Sequence, residues 1–293
     1  MTDVMFPRPK KRITKASVAV LVFLVMAALF FCVPLYVLVV TSLKSMDQIR
    51  EGAIFALPRG ATLEAWDHAW NRACSGMTCT GLKGGFLNSV AILIPSLAAS
   101  IALSMVTGYA LAIWNVRWTG PFLFLLFVCA FVPLQIIMYP LIILTREAGI
   151  YGTLWAVVVI HSVLAMPILT LIFRNYYKDV PPDILKAAII DSGSFWRIFA
   201  EIIVPMSGNI LIVVAILQIT SIWNDYLIGV TFGGLGNMPM TVNLANMVTV
   251  STGTAAYNVD MAAALLTAIP PLVVYFLLGK FFVQGIAAGA VKG

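Results

Sequence analysis

The sequence predicts an all-α integral membrane protein with six transmembrane helices. Of its 293 residues, 61% are hydrophobic and 10% charged, against roughly a quarter charged in a soluble domain. The mean hydropathy is +0.99. Its charge-free runs reach or exceed the length of about 20 residues that a helix needs to cross a bilayer. The surplus apolar surface must therefore face something other than water. A disordered chain, a disulfide-stapled miniprotein and an ordinary cytosolic enzyme are excluded.

The candidate spans are the uncharged runs 16–43, 84–116, 118–145, 148–173, 202–224 and 261–279. A helix satisfies its own backbone, as the bilayer core demands. The first run follows Lys10, Lys11, Arg12 and Lys15, as a signal peptide would. It is longer than the roughly 7–15 residues of a signal core and contains Pro34, so it reads as an uncleaved span. A seventh uncharged run, 226–259, carries Gly233, Gly234, Gly236, Asn237, Pro239, Asn243, Asn246, Thr249 and 251–254 (Ser-Thr-Gly-Thr). That is loop chemistry, read as an extramembrane or re-entrant connection.

The net charge of +6 reads as orientation and not as nucleic-acid binding. With both termini in the cytoplasm, twelve basic residues lie inside and six outside (Lys44, Arg50, Arg59, Arg72, Lys83 and Arg146). The expected organisation is a cytoplasmic N-terminus at 1–15, a first span at 16–43, an extracytoplasmic loop at 44–85 and a core domain at 86–293. Within that core lie a cytoplasmic loop at 175–205 and an extracytoplasmic loop at 229–258. Hydrophilic stretches on both faces suggest a partner on each side.

The inside loop is the informative one. Pro181 and Pro182 suit the first turn of a helix, and Asp179 and Asp183 favour that end electrostatically. Ile184, Ala187, Ala188 and Ile190 follow at near-helical spacing, Gly193 breaks the run, and Phe195, Ile198, Phe199 and Ile202 begin a second short helix. Two short amphipathic helices at a bend either fill a groove on another protein or lie on lipid headgroups.

This stretch resembles the EAA loop of permease subunits in binding-protein-dependent ABC importers, in the sugar branch related to the maltose and glucose permeases. Lys186 takes the family's Glu position, Ala187 and Ala188 match, and Ser192 takes the Gly position with Gly193 beside it. Ile202 and Pro205 match, and Val204 replaces Leu. Asp191 and the run Ser194-Phe195-Trp196-Arg197-Ile198-Phe199 are also similar to the sugar branch, and Leu185 joins the candidate coupling residues. Lys186 reverses a charge, so a salt bridge made by the family's Glu does not carry over. The resemblance extends over most of the chain. It includes Thr41-Ser-Leu-Lys44, Phe55-Ala-Leu-Pro58, Phe86-Leu-Asn-Ser89, Trp223-Asn-Asp-Tyr226, Phe282-Val-Gln-Gly285 and the tail at 289–293.

The resemblance implies a type I ABC importer permease fold in a bacterial cytoplasmic (inner) membrane. The loop would be a coupling helix docking on a cytoplasmic ATPase. The implied partners are a second permease subunit, two ATPase copies and an extracytoplasmic sugar-binding protein, with membrane lipid and no nucleic acid. ATP and Mg would belong to the ATPase. This chain has no Gly-x-x-x-x-Gly-Lys-Ser/Thr, and its Gly279-Lys280 pair precedes Phe281. The chain would be non-catalytic and hold no cofactor or metal of its own.

Polar residues at membrane depth are candidates for the sugar path. Asp225, with Trp223 and Asn224, reads as a sugar-stacking wall or as an interfacial hydrogen-bonding group. Gln218 lies deeper. Asn88 and Ser89 line the path or cap a helix. Asn243 and Asn246 reach the binding protein or sugar, or sit in a solvated loop. Asp260 reads as a cap on the last span. His161 reads as a packing histidine, since its own span holds no second ionisable residue for a relay. Cys74 and Cys79 form a small disulfide in an oxidising compartment or stay free, while Cys32 and Cys129 read as packing residues. His68 nearby does not complete a zinc site. The reading is a permease subunit for a mono- or small oligosaccharide, a glucose-like sugar among them. The rival is an ion-coupled secondary transporter.

Overall fold

The computed structural model describes residues 14–76, 78–114, 117–191, 193–249 and 255–290. Basic residues Arg8, Lys10, Lys11 and Arg12, the predicted loop residue Ser192, and 251–254 lie outside these. The described residues are helical apart from connections and one bridge pair, Ser75 with Thr78.

In chain order, α1 is Lys15–Ser42, α2 Met46–Arg50, α3 Glu64–Asn71 and α4 Lys83–Ile113. Next come α5 Thr119–Phe131, α6 Leu134–Glu147 and α7 Leu154–Lys178. The stretch after α7 holds α8 Pro182–Asp191, α9 Phe195–Ile198, a π-helical turn Phe199–Ile203 and α10 Val204–Met206. The remainder is α11 Gly208–Trp223, α12 Leu227–Phe232, α13 Met240–Thr249 and α14 Tyr257–Ala290.

Helices α1, α4, α7 and α14 are each long and apolar enough to cross a membrane, and two bent pairs bring the candidate spans among the described residues to six if each pair is one span. The predicted third span is not one straight helix. It is α5 and α6, bent by 103°. Pro133 at the junction has no N–H and holds Val132 extended (φ −67°, ψ 122°), which ends α5. The predicted fifth span begins earlier than the charge-free run and bends by 78° between Phe195–Met206 and Gly208–Trp223. The stretch read as loop chemistry contains α12 and α13, whose Ile228, Gly229, Phe232, Met240, Val242 and Met247 are buried.

The centre of the fold is the α4–α7 pair. One face of α4 presents Ser89, Ser96, Ser100, Ser104 and Gly108, all buried. Small residues let two helices approach closely where lipid provides no hydrophobic drive between them. At Gly108 an added Cβ would lie 2.8 Å from Phe173 Cβ and 3.0 Å from Arg174 N. By contrast α1 is exposed along its length until Val40–Ser42, as a lipid-facing helix packed on α14 is.

Around this pair lie three buried apolar clusters. One, by the start of α4, joins Ala65, Ala69, Leu82, Trp223, Met240 and Ala262. A second, by the ends of α4 and α7, joins Tyr109, Phe173, Tyr177, Ala188, Ile198 and Ile203. A third, by the start of α7, joins Ile92, Val157, Ile160, Ile222, Ile228 and Phe232.

The segment after α1 is held by Lys44. Its side chain is buried, and Nζ donates to the carbonyls of Ala53 (2.8 Å) and Ile54 (3.4 Å). Tyr36 Oη donates to the Phe55 carbonyl at 2.8 Å. These bonds join the Thr41–Lys44 and Phe55–Pro58 stretches quoted above. On the exposed face of α3, hydrogen bonds from Asn71 and then Arg72 hold the Asp67 carboxyl below its ordinary value. Cys74 and Cys79 are joined by a disulfide; Cys32 and Cys129 are exposed, not packed inside.

Gly108→Val should separate α4 from α7 and cost about 1–3 kcal/mol by overpacking. The melting temperature of the solubilised protein would fall. Gly120→Ala, where a Cβ meets nothing within 4 Å, should leave it unchanged.

Candidate functional site

The stretch between α7 and α11 folds as a knuckle. Pro182 opens α8 and Asp183 sits in its first turn. Gly193 adopts φ +57°, a left-handed conformation that suits glycine and turns the chain into α9. Buried Ala188 and half-buried Leu185, Phe195 and Phe199 pack inward with Ile198. The other face points away: Ile184 (42% exposed), Ile189 (46%), Ile190 (83%) and Trp196 (63%). Pro181, Pro182, Lys186, Ala187, Asp191, Gly193, Arg197 and Pro205 are also exposed.

Two ion pairs form within the knuckle. Lys186 Nζ lies 3.7 Å from Asp183 Oδ1, and Arg197 Nε lies 3.1 Å from Glu201 Oε2. Exposed pairs contribute little to stability, but they reduce the local charge around the apolar patch.

Three tyrosines fasten the knuckle to the spans. Tyr109 Oη on α4 donates to the Phe195 carbonyl at 3.3 Å. Tyr176 Oη on α7 donates to the Met206 carbonyl at 2.8 Å. Tyr177 Oη and Ser207 Oγ are 3.0 Å apart, and Ser207 Oγ donates to the Ile203 carbonyl at 2.6 Å. The Phe195 ring also packs against Tyr109 and Trp114, with centroids 4.7 and 5.4 Å away. Sequence reasoning missed these tyrosines, because their partners are 30 or 86 residues distant and no local spacing marks them.

The outer polar residues are largely spent inside the protein. Trp223 is buried and its indole N–H donates to the Thr267 carbonyl at 2.9 Å. It has no open face on which a sugar ring could stack, which corrects that part of the wall reading. Ser89 Oγ accepts the Met240 N–H at 2.8 Å, and Asn88 Nδ2 donates to the carbonyls of Gly236 and Met238. Both lie inside α4, so neither caps that helix; Asn88 binds the 236–238 loop, and Ser89 satisfies the first amide of α13. Asn243 Oδ1 accepts from Ser75 Oγ at 3.3 Å, and Asn246 Nδ2 lies 3.5 Å from Met238 Sδ. Both are half-buried on α13, not in a solvated loop. Gln218 is buried in α11, while Asn224 is exposed at its end. Asp260 lies within the first turn of α14 and is not its cap residue.

Asp225 fills the break between α11 and α12. Its carboxylate accepts the N–H groups of Ile228 (3.3 Å) and Gly229 (2.9 Å), as a helix cap does. His161 is not alone: its Nε2 lies 3.7 Å from Asp225 Oδ2.

The sequence profile of the family described as "binding-protein-dependent transport system inner membrane component" matches residues 100–288. The chain belongs to that family. Among relatives of this permease, a protein of Pyrococcus horikoshii named as a probable ABC transporter permease is 39% identical over 164 residues. That match covers 56% of this chain and 59% of the length of that relative. The xylose/arabinose import permease protein XacI of Haloferax volcanii is 29% identical, with 89% of each chain covered. In fold, the permease is similar to a solved bacterial ABC transporter involved in importing the acidic polysaccharide alginate. The TM-score is 0.79 at 18% identity, covering 93% of this chain and 100% of that one.

Tyr177→Phe keeps the ring and removes the hydroxyl that meets Ser207. The expected loss is about 0.5–1.5 kcal/mol, read as a lower melting temperature. Tyr177→Ala, which also opens a cavity, should cost about 3–5 kcal/mol.

Proposed function

We propose that this chain is the non-catalytic transmembrane permease subunit of an ABC importer that carries a mono- or small oligosaccharide inward by alternating access. The observation that carries the reading is the knuckle: an exposed apolar patch of Ile184, Ile189, Ile190 and Trp196 on helices braced to α4 and α7. A cytoplasmic ATPase would seat on that patch, supply ATP and Mg chemistry, and drive transport through a population shift between inward- and outward-facing states. A second permease subunit would complete the passage, and an extracytoplasmic binding protein would deliver the sugar. Family membership and a relative named for xylose and arabinose import support the carbohydrate assignment. A glucose-like sugar remains within that class.

The disulfide supports an orientation. A bonded cysteine pair belongs in an oxidising compartment, which supports an outward-facing Cys74–Cys79 loop with both termini in the cytoplasm. This agrees with the excess of basic residues assigned to the inside. The coupling role extends to Pro181, Pro182, Leu185, Lys186, Ala187, Ala188, Asp191, Ser192, Gly193, Phe195, Trp196, Arg197 and Pro205.

The patch predicts its own test. Ile190→Asp with Trp196→Glu should leave insertion and melting temperature unchanged and reduce co-purification of the host ATPase by at least about tenfold, since buried aromatic anchors dominate interfaces. Undiminished recovery of the ATPase would refute the docking role. In inverted vesicles, release of a preloaded pentose or hexose panel is not informative; uptake into right-side-out vesicles is. It should follow internal ATP and survive collapse of the proton gradient at constant ATP, whereas the reverse pattern would favour the ion-coupled rival.

Orientation is tested in a Cys32→Ser, Cys129→Ser background. After reduction, a membrane-impermeant maleimide should label Cys74 and Cys79 from the outside of intact cells and not from the cytoplasmic side.

A further inference from the structure

We infer that His161 is a positioning residue that acts through Asp225 to hold the outer α12–α13 segment against α7. Four elements meet at Asp225. Its backbone ends α11, and its carboxylate accepts the first free amides of α12. Its carbonyl accepts the hydroxyl of Thr241 on α13. Its Oδ2 faces His161 Nε2 of α7 at 3.7 Å. The two side chains are 14% and 7% exposed, so water cannot replace either partner at little cost.

His161 lies about 10 Å along α7 from its start, at 1.5 Å per residue. A second attachment sits beyond that start, where Gly152 N–H donates to the Phe232 carbonyl and Asn237 Nδ2 donates to the Gly152 carbonyl, both at 3.1 Å. The outer segment is thus fixed to the α7 side at two levels. Moving it away from α7 would leave the Asp225 carboxylate its Ile228 and Gly229 amides, which move with the segment, and would cost it the His161 contact. The consequence is that α7, α12 and α13 travel together when the outer mouth changes shape.

Carrying the segment is distinct from packing, and the two predict different results. The readout is amide hydrogen exchange of peptides spanning 226–249 in the purified protein. His161→Leu fills the site without an ionisable group, and exchange should accelerate about tenfold. His161→Gln places a nitrogen close to the position of Nε2 and should stay within about twofold of the parent. In an Asp225→Asn background, His161→Leu should add nothing further.

Three results would overturn the inference: parental exchange in His161→Leu, an equal acceleration in both backgrounds, or a Gln variant behaving as the Leu variant does. If His161→Leu does not accumulate, Asp225→Asn alone carries the test. It should accelerate exchange in 226–249 and also in the α7 peptide around His161, and an unchanged α7 peptide would count against the pair. None of these measurements uses the ATPase, so failure here is separate from failure of the docking reading.

Discussion

In hydrocarbon, every backbone N–H and C=O must find its partner within the protein. The architecture depends on how this constraint is met where helices stop. An unbroken helix such as α1 meets it alone. The chain breaks at Pro133, Gly193, Ser207 and Asp225, and each break has a local solution. Pro133 has no N–H to satisfy. Gly193 turns in a left-handed conformation at the knuckle. Ser207 bonds back to Ile203 and meets Tyr177. Asp225 caps α12 with its own carboxylate. The functional features lie at these breaks, because there side chains must serve the backbone.

The two ends of the molecule use different chemistry for the same purpose. At the end holding the disulfide, Asn88, Ser89, Asn237 and Thr241 bind backbone groups of the α12–α13 segment or its anchors. These are short side chains with little rotamer freedom to lose. At the inner end, phenol groups reach backbone carbonyls from within an aromatic cluster. The outer end is therefore closed over its polar groups, while the inner end turns its polar groups inward and leaves isoleucines and a tryptophan outside. An apolar surface whose basic residues Lys186 and Arg197 are each in an ion pair suits association with a protein more than with lipid headgroups, whose anionic surface favours unpaired basic residues.

The spans were legible because charge is so costly in lipid that charge-free runs locate them. The bends were not, because hydropathy is blind to direction: the 118–145 run is uniformly apolar although Pro133 divides it. The 226–259 run failed for the opposite reason. Its glycines and asparagines carry the composition of a loop, yet Asn243 contacts the 75–78 bridge segment and Gly229 lies beneath Pro239. Polar composition there reflects internal hydrogen bonding, which local sequence cannot distinguish from exposure to water. The knuckle was readable from its prolines, its glycine and its apolar spacing. Its fastening to α4 and α7 was not, since those contacts are made only after the chain has folded back on itself. His161 shows the same limit: its charged neighbour is 64 residues away, across a helix pair.

These attachments give the α4–α7 pair a mechanical role. Both helices reach the knuckle, through Tyr109 on one and Tyr176 and Tyr177 on the other. Both also reach the outer segment, through Asn88 and Ser89 on one and His161 on the other. The pair is close-packed where Gly108 meets Phe173, so the two cannot slide independently without opening voids. Helix α11 links the same two regions by covalent chain, but it is interrupted at Ser207 and at Asp225, and a hinged link transmits less than a stiff one. A displacement of the knuckle would therefore arrive at the outer mouth chiefly through α4 and α7. The breaks that lipid makes costly are in this sense also useful: they leave one stiff path through the membrane and make the parallel path compliant.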